Sequence, residues 1–574
     1  MISQKSVKKT GQFTPFSFSA SWKTIGLLFV LFLFFLPVIR LIWLSVISEG
    51  TFTLEEYSSV LSERMTWLTI QNTLYIVAGS TVFSVILGIF LAWIIAYVDI
   101  RGKNWMQLFI FLPFIIPSYI STLAWVQFFG KTGPFAFFND LLSLSLSTPN
   151  LYSMGGIIFV LGITNYPLVY LLSVDVFKKI PRELEEAAWT SGASRFVLFW
   201  KVVFPMALPG IASGGLLAFI SNLDNFGVPA FLGIPANIKV LSTYIYEQIV
   251  GFGPSAFARA AVLSVILGLV AISGTIIQWV ITRKNKVNET NLRDNKPRIF
   301  LGKYKQIVLE AGIWFLLIMT SLVPFITMAA TSLIKAYGLP FRLENLSFKN
   351  YYYVLFEDQK MISAITNSLF LGGITLVICL ITGTMIAYFR YKRPSHFIKF
   401  TEIIVTIPYA LPGTVLALAI ILMWIQPIPG WKPGVYGTIW ILVIAYFTRF
   451  LILQVRGSIT AFSQLDPSME EAALTSGANG FAKWRKILLP LLLPGIVGGG
   501  LLVFLTALTE LTVSSLLWSS GSETIGVMIF SFEQAGYSTY STAFSSVIVF
   551  SILIGAAICV WFQKLWSKRM LRNK

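Results

Sequence analysis

Few side chains in this sequence could carry covalent or metal chemistry. The only histidine, His396, lies in a short basic loop, and the two cysteines, Cys379 and Cys559, both lie in long apolar stretches. Haem and zinc sites need clustered His or Cys ligands, and a disulfide framework needs several cysteines. The sequence thus argues against haem, zinc and disulfide chemistry, and it leaves the presence of any other metal site unknown.

The most distinctive polar residues occur twice, at the same spacing. The stretch "LEEAAWTSGASRFVLFWKVVFPMALPG" begins at Leu184, and "MEEAALTSGANGFAKWRKILLPLLLPG" begins at Met469, so the two align without a gap at an offset of 285 positions. Each copy contains a Glu-Glu-Ala-Ala run followed by a glycine. These residues are Glu185, Glu186, Ala187, Ala188 and Gly192 in the first copy, and Glu470, Glu471, Ala472, Ala473 and Gly477 in the second.

Each copy is predicted to form a short helix, a glycine turn and a second, basic helix. In the second copy Asp466 can cap the first helix, and Pro467 fits its first turn. The paired glutamates lie near the positive end of the helix dipole, and Gly477 can end the helix in a left-handed conformation. Pro181 and Gly192 have matching roles in the first copy. A short, rigid helix with small residues suits docking into a groove on another protein, and two copies suit a two-fold partner.

The elements that carry these segments are predicted to be membrane helices. The chain of 574 residues is 56% hydrophobic and 12% charged, whereas a soluble domain carries about 25% charged residues. A bilayer core about 30 Å thick needs roughly 20 apolar residues per helix. This rule predicts an all-α polytopic membrane protein with about twelve transmembrane helices. They lie near residues 24–47, 70–96, 105–129, 153–177, 206–232, 259–282, 307–333, 364–389, 400–425, 436–457, 491–518 and 543–563.

The net charge of +18 is unevenly distributed along the chain. Lys and Arg cluster in alternate loops, including both termini, both repeated segments and the linker 283–305, whereas the other loops carry acids such as Glu55 and Asp358. This is the positive-inside asymmetry of membrane proteins. It predicts that both termini, the linker and both repeated segments are cytoplasmic. It also indicates a lipid bilayer, and no nucleic acid, as the partner of the basic residues. No small-residue cleavage site follows the first span, which we expect to be an anchor.

The linker joins two halves that resemble each other. "NTLYIVAGSTVFSVILGIFLAW" from Asn72 parallels "NSLFLGGITLVICLITGTMIAY" from Asn367, and "LPFIIPSYISTLAW" from Leu112 parallels "VTIPYALPGTVLAL" from Val405. Because both polar segments are assigned to one side of the membrane, the repeat is parallel. A duplicated membrane anchor would not need the matching polar segments. The predicted divisions are a cytoplasmic tail 1–24, a first transmembrane domain 25–282, a cytoplasmic linker 283–305 and a second transmembrane domain 306–574.

Two acidic residues are predicted to lie inside membrane spans. Asp224 and Glu510 fall in the fifth and eleventh spans, and the offset of 285 places Glu510 opposite Asn225. A charge at the bilayer centre costs roughly 2.5–3.5 kcal/mol, so it usually faces a cavity or a partner. The three residues are therefore candidates for a path that suits a cation. The alternative is that the acids bind backbone groups where the helices are disturbed, and Arg40 and Arg449, also within spans, could pair with them.

The two polar segments resemble the EAA coupling motif of permease subunits in ATP-binding-cassette (ABC) importers. Nearly the whole chain is similar to a fusion of two six-helix permease domains. The resemblance implies that the ten residues given above form coupling helices seated on two copies of an ABC ATPase subunit. The chain lacks a Walker-type G-x-x-x-x-G-K-[ST] motif, so we expect ATP and Mg²⁺ to bind to those partners, no cofactor to bind to this chain, and no enzymatic activity in it.

The resemblance also implies a binding protein and a class of cargo. Such permeases receive substrate from an extracellular or periplasmic binding protein at a bacterial cell (inner) membrane, and residues 234–258 and 334–363 are candidate docking loops. The fused architecture most resembles that of ferric iron importers, and "NLDNFGVPAFLG" at 222–233 and "LTELTVSSLL" at 508–517 are similar to segments of their permeases. Thiamine, 2-aminoethylphosphonate and polyamine importers share much of the pattern. A secondary transporter would leave the EAA segments unexplained, and a membrane redox enzyme would need more histidines.

Overall fold

The described part of the chain is almost entirely helical. The computed structural model describes residues 20–48, 51–143, 145–251, 255–283, 294–392, 394–425, 434–465, 468–469, 475 and 483–572. These residues include one short antiparallel hairpin, formed by β1 (Ile47–Ser48) and β2 (Thr51–Phe52).

The helices on both sides of the linker are numbered in chain order. Before the linker they are α1 (Ile25–Val46), α2 (Glu55–Ser62), α3 (Arg64–Tyr97), α4 (Lys103–Ile115), α5 (Ser118–Phe128), α6 (Pro134–Leu141), α7 (Met154–Lys179), α8 (Arg182–Thr190), α9 (Arg195–Asp224), α10 (Leu241–Val250) and α11 (Ala256–Thr282). After it they are α12 (Lys303–Thr331), α13 (Lys349–Tyr352), α14 (Gln359–Lys392), α15 (His396–Ala410), α16 (Gly413–Trp424), α17 (Ile439–Ser463), α18 (Trp484–Leu508), α19 (Ser514–Leu517), α20 (Ile525–Gln534) and α21 (Ser538–Arg572).

The membrane-length helices agree with the predicted spans. Within the described residues, ten helices are long and apolar enough to cross a membrane, and two bent helix pairs bring the number to twelve if each pair is one span. The prediction of an all-α polytopic protein with about twelve spans is therefore confirmed. The third and ninth spans differ from the prediction, because each is broken rather than continuous.

Proline causes both breaks. α4 and α5 meet at 102°, and α15 and α16 meet at 109°. Pro117 and Pro412 precede the second helix of each pair in extended backbone, with φ and ψ of −52° and 136° and of −54° and 140°. Proline lacks an N–H donor and disfavours helix in the residue before it, so the helix ends there. The two prolines are 295 positions apart, which shows that the sequence pairing of Leu112 with Val405 is two residues out of register.

The described residues fall into two compact units. One contains the chain up to Ile39 together with Ser368–Tyr409 and Trp440–Leu508, and the other contains Arg40–Asn367, Ala410–Ile439 and the chain from Thr509. Each unit therefore takes residues from both sides of the linker. The domain boundaries 25–282 and 306–574 follow the repeat in the sequence and stay a prediction.

Within each unit, a polar side chain links the two helices that flank the repeated segment in the sequence. In the larger unit Asn165 of α7 donates a hydrogen bond to Asn222 of α9 at 2.7 Å. In the smaller unit Gln454 of α17 donates to the carbonyl oxygen of Ile496 on α18 at 3.1 Å. Polar side chains and small residues hold membrane helices together where lipid offers no hydrophobic driving force. A Cβ on Gly88 of α3 would lie 2.7 Å from the side chain of Val169 on α7, so these two helices approach closely.

Candidate coupling site and translocation path

The first repeated segment folds into the short helix that the sequence predicts. α8 begins after Pro181, whose backbone is extended, and acids lie in its first turn. Gly192 ends it with φ of +81°. The N–H of Gly192 donates to the carbonyl oxygen of Trp189 at 2.9 Å, and that of Ala193 donates to Ala188 at 3.0 Å. These two bonds form a Schellman motif, whose left-handed residue is usually glycine.

The two neighbouring glutamates of α8 have different environments. Glu185 is buried and accepts a hydrogen bond from the Tyr97 hydroxyl at 2.6 Å. It also forms an ion pair with the guanidinium of Arg298. Glu186 is exposed, because successive residues of a helix are about 100° apart around its axis. Glu185 therefore holds α8 in place, and Glu186 is available to a partner.

Exposed apolar side chains lie around Glu186. Leu184 and Trp189 of α8 are 44% and 52% exposed, and Phe196, at the start of α9, is 73% exposed. Exposed apolar patches on otherwise polar segments mark interaction sites. Sequence reasoning singled out the Glu, Ala and Gly residues and missed these large side chains. The sequence did contain a signal for them, because aromatic residues are unusual in a segment that otherwise has the composition of a cytoplasmic loop.

A cavity of about 900 Å³ lies beside this surface. Its walls come from the end of α3, from α8, from the start of α9 and from residues 297–301. Aromatic side chains line much of it, among them Trp93, Phe199 and Phe300, together with charged groups such as Arg195. α8 is thus bordered by a mainly apolar space whose lining includes both arginine and glutamate side chains.

The helix that follows Gly192 is continuous with the fifth span. α9 runs from Arg195 to Asp224 as one helix, so the basic helix predicted after the glycine turn is the first part of the fifth span, and Pro209 lies inside the helix. A π turn over Phe199–Val203 shifts the hydrogen-bond register there. A matching π turn over Trp484–Leu488 begins α18 at the offset of 285. This offset confirms locally the repeat that the sequence predicts.

The second repeated segment is outside the described residues at its key positions. Glu470, Glu471, Ala472, Ala473 and Gly477 belong to this group, as do Asp466 and Pro467. Their coupling role stays a prediction.

The three candidate path residues lie where helices end. Asp224 is the last residue of α9, and Glu510 follows the end of α18 at Leu508. The spans predicted over 206–232 and 491–518 therefore continue past the ends of these helices, and the acids are not well inside helices as predicted. After Asp224, Gly227 and Pro229 interrupt the long helix. After Glu510 the sequence has the polar residues Thr512, Ser514 and Ser515, whose side chains compete with helical hydrogen bonding.

Each of these residues binds the backbone of a neighbouring turn. The Asp224 carboxylate accepts the N–H of Gly413, the first residue of α16, at 2.5 Å. Asn225 accepts the N–H of Val228 at 3.0 Å and donates to the hydroxyl of Ser118, the first residue of α5, at 2.8 Å. The two residues thus hold the half-helices that begin at the two proline breaks.

Glu510 caps the short helix α19. Its carboxylate accepts the N–H groups of Val513 and Ser514 at 2.8 and 3.0 Å, and the hydroxyl of Ser514 at 2.9 Å. These contacts agree with the structural alternative, in which the acids bind backbone N–H groups where the helices are interrupted. A role in the translocation path stays a prediction. Arg40 donates to the carbonyl oxygen of Met423 at 3.4 Å. Among the described residues, no three His, Cys, Asp or Glu side chains are placed to hold one metal ion.

A second cavity, of about 660 Å³, lies at the opposite end of α7 from α8. It is lined by residues 126–132 at and after the end of α5, by residues 148–152 before α7, by residues 331–339 and by the start of α21. Part of the loop 334–363, which the sequence suggests for docking of a binding protein, therefore borders an open cavity.

Comparisons with known proteins identify the family and its relatives. A family model described as "Binding-protein-dependent transport system inner membrane component" matches residues 84–287 and 380–572. The chain is 24% identical over 546 residues to a ferric transport system permease protein FbpB of Actinobacillus pleuropneumoniae, covering 94% of this chain and 77% of the relative. It is 25% identical over 508 residues to a putative ferric transport system permease protein FbpB 1 of Haemophilus influenzae, covering 87% and 77%.

Shorter relatives and a solved structure match part of the chain. The molybdenum transport system permease protein ModB of Escherichia coli is 25% identical over 217 residues, covering 37% of this chain and 93% of the relative. A chain of a bacterial alginate ABC transporter, solved in complex with an alginate-pentasaccharide-bound periplasmic protein, is 20% identical with a TM-score of 0.39, covering 47% of this chain and 96% of that chain.

The two matches of the family model confirm the predicted pair of permease repeats. They cover well over half of the sequence, and members of the family work with a binding protein and an ATPase. The chain therefore belongs to the binding-protein-dependent transport system inner membrane component family, as a multi-pass permease subunit of an ABC importer and not as its catalytic subunit.

Proposed function

We propose that this permease forms the translocation path of a ferric iron importer and that α8 docks on a separate ATPase subunit. The observation that carries the docking is the exposed surface of α8, where Glu186 and Ala187 lie beside Leu184 and Trp189. Large aromatic side chains that are exposed in the free subunit are typical anchors of protein interfaces. Because Gly192 ends the helix in a sharp turn, this surface projects as a compact unit.

The second repeated segment is proposed to make the same contact with a second copy of the ATPase subunit. The support is the offset of 285, which relates both the Glu-Glu-Ala-Ala runs and the π turns that follow them. ATP and Mg²⁺ are bound by the two ATPase copies in this proposal. Their closure moves the two coupling helices, and the halves of the permease respond by alternating access.

The orientation in the membrane is proposed from charge. The basic residues of the tails, the linker and the repeated segments place both termini in the cytoplasm of a bacterial cell, with the permease in its inner membrane. The cavity beside residues 331–339 then faces outward, where an extracellular or periplasmic binding protein delivers the cargo.

Ferric iron is proposed as the cargo because two relatives that align with most of this chain are named as ferric permeases. The acids Asp224 and Glu510 are further support, since carboxylates near a path favour a cation. Thiamine, 2-aminoethylphosphonate and polyamines are the alternatives within this family, and transport driven by an ion gradient is the alternative from another class.

The test is uptake by the assembled system in proteoliposomes. The permease is purified with its ATPase and binding-protein partners, and uptake of radiolabelled iron is measured with ATP inside the vesicles. We expect uptake that needs ATP and the binding protein, and no ATP hydrolysis by the permease alone. ATP-dependent uptake of thiamine, 2-aminoethylphosphonate or putrescine in place of iron would overturn the proposal that ferric iron is the cargo. Uptake driven by an ion gradient without the ATPase would overturn the importer mechanism.

A further inference from the structure

Residues 294–301, at the end of the linker, pack directly against the coupling helix. Asp294 forms an ion pair with Arg182, the first residue of α8. The N–H of Asp294 donates to the carbonyl oxygen of Lys178 at 2.8 Å, and Arg182 donates to that of Lys296 at 2.9 Å. The linker is thus bound on both sides of Pro181, where α7 gives way to α8.

Arg298 makes a second, buried set of contacts. Its side chain is 7% exposed, and its guanidinium pairs with Glu185 of α8. The same group donates to the carbonyl oxygen of Ile180 at 2.6 Å and to the Tyr97 hydroxyl at 3.2 Å, and it lies 4.8 Å from the centre of the Tyr97 ring. The planar fork of arginine can satisfy several acceptors in one fixed geometry, which the ammonium of lysine cannot.

The linker backbone also forms hydrogen bonds with the end of α3 and the residues after it. The N–H groups of Arg298 and Ile299 donate to the carbonyl oxygen of Tyr97 at 2.8 and 2.9 Å, and Asp99 donates to Ile299 at 2.9 Å. Val98 and Ile299 form a parallel bridge. A single stretch of eight residues therefore joins α8, the end of α3 and, through Lys303, the start of α12.

We infer that residues 294–301 are a clasp that fixes the direction of α8, and that Arg298 is a positioning residue for coupling of ATP hydrolysis to transport. The inference rests on the proposed docking of α8 on the ATPase. Without the clasp, a helix of two to three turns is connected by Pro181 and by the Gly192 turn alone. With it, a force applied to α8 passes through Glu185 and Arg298 to α3 as well as along the chain.

The charge of the clasp is maintained at neutral pH. Partial burial by itself raises the pKa of Asp294, but hydrogen bonds from Arg182 and from the backbone of Lys296, with the charges of Arg182 and Arg298, hold that pKa below its usual value. The carboxylate is therefore ionised where the transporter works. Substitution of Arg182 or Arg298 therefore removes a positively charged partner of an ionised carboxylate.

The experiment compares variants of the full chain, assembled with the ATPase and binding protein in proteoliposomes. The variants are Arg298→Ala, Arg298→Lys and Arg182→Asp, alone and combined with Asp294→Arg, and the control is Arg283→Ala, from the same linker but stacked on Trp279. We measure ATPase capture, ATP consumed per cargo transported, and the mobility of a spin label at exposed Thr190. We expect Arg298→Ala to keep capture, to loosen the label, and to raise ATP consumed per cargo at least about five-fold.

The conservative and exchange variants separate positioning from folding. Lysine at 298 should restore coupling in part, and the exchange of charges between residues 182 and 294 should restore what Arg182→Asp loses. The second pair is partly exposed, so it tests the clasp even when Arg298→Ala folds poorly. Wild-type ATP consumption per cargo and an immobile label in Arg298→Ala and Arg182→Asp would overturn the inference.

The same assay distinguishes this inference from the docking on which it rests. Trp189→Ala should lose ATPase capture if α8 docks as proposed. Capture that survives this change would contradict the docking itself. Lost capture in Trp189→Ala, together with normal coupling in the Arg298 variants, would remove the clasp and leave the docking intact.

Discussion

Glu510 and Asn225 make the same hydrogen bond in the two halves of the chain. The Glu510 carboxylate accepts the N–H of Val513 at 2.8 Å, and the Asn225 amide oxygen accepts the N–H of Val228 at 3.0 Å. Both pairs are three residues apart, and the two sites are 285 positions apart. The repeat thus preserves a cap on the turn that follows each repeated segment and its span, whereas it does not preserve the negative charge.

Asp224→Asn tests whether the negative charge of Asp224 aids transport of a cationic cargo. Asparagine keeps an oxygen that can accept the N–H of Gly413, so we expect normal amounts of folded protein and normal ATPase capture. If the carboxylate faces the path, uptake of a cationic cargo per folded complex should fall by roughly tenfold, or about 1.4 kcal/mol. Unchanged uptake, measured in proteoliposomes, would remove Asp224 from the transport mechanism.

Glu510→Gln tests a structural role. Its carboxylate accepts from two backbone N–H groups and from the Ser514 hydroxyl, and an amide group would turn a donor toward one of them. We expect the free energy of unfolding to fall by about 1–3 kcal/mol, the cost of an unsatisfied buried group. Thermal unfolding of the purified protein measures this, with exposed Glu183→Gln as the control. The same unfolding temperature in both variants would contradict the capping role.

Gly192→Asp should uncouple the permease and leave its membrane fold intact. A Cβ at residue 192 would meet no described atom within 4 Å, so the penalty comes from φ of +81°, which costs a residue with a Cβ about 1–2 kcal/mol, and from the new charge on the docking surface. Pull-down of the ATPase should fail. Gly302→Asp, at a glycine with φ of −61°, is the matched control. Because Gly477 aligns with Gly192 in the repeat, Gly477→Asp should have the same effect. Normal pull-down and uptake in both 192 and 477 variants would contradict the docking assignment.

Trp189→Ala should weaken binding of the ATPase more than substitutions of most other exposed residues do. Buried interface tryptophans commonly contribute at least about 2 kcal/mol on truncation, a loss of roughly thirtyfold in affinity. Titration of the ATPase onto immobilised permease measures the dissociation constant. Phe315→Ala, at a still more exposed aromatic on the membrane helix α12, should leave the dissociation constant unchanged. Equal affinities for the Trp189 and Phe315 variants would place the docking surface elsewhere.

The number of spans and the form of the coupling helix could be predicted because both depend on local sequence. Hydropathy determines whether a segment crosses the membrane, and Gly192 determines where α8 ends. The bends at Pro117 and Pro412 were missed because hydropathy sums apolar residues without regard to direction. The difference between Glu185 and Glu186 was missed for another reason. It depends on Arg298, which lies 113 positions away, and no local pattern predicts that contact.

The pH dependence of the clasp follows from Asp294. Its pKa in the folded protein is below the ordinary value of 3.8, because hydrogen bonds and charges from Arg182 and Arg298 outweigh the effect of burial. A lowered pKa contributes stability that is fully present above the ordinary pKa and is lost as the pH falls through the folded value. We therefore expect a spin label at Thr190 to keep constant mobility above about pH 5 and to loosen only in stronger acid. Asp294→Ala should show the loosened spectrum at every pH. A mobility change centred near neutral pH in the wild-type protein would contradict this assignment, since it would require a titrating group other than Asp294 to control the clasp.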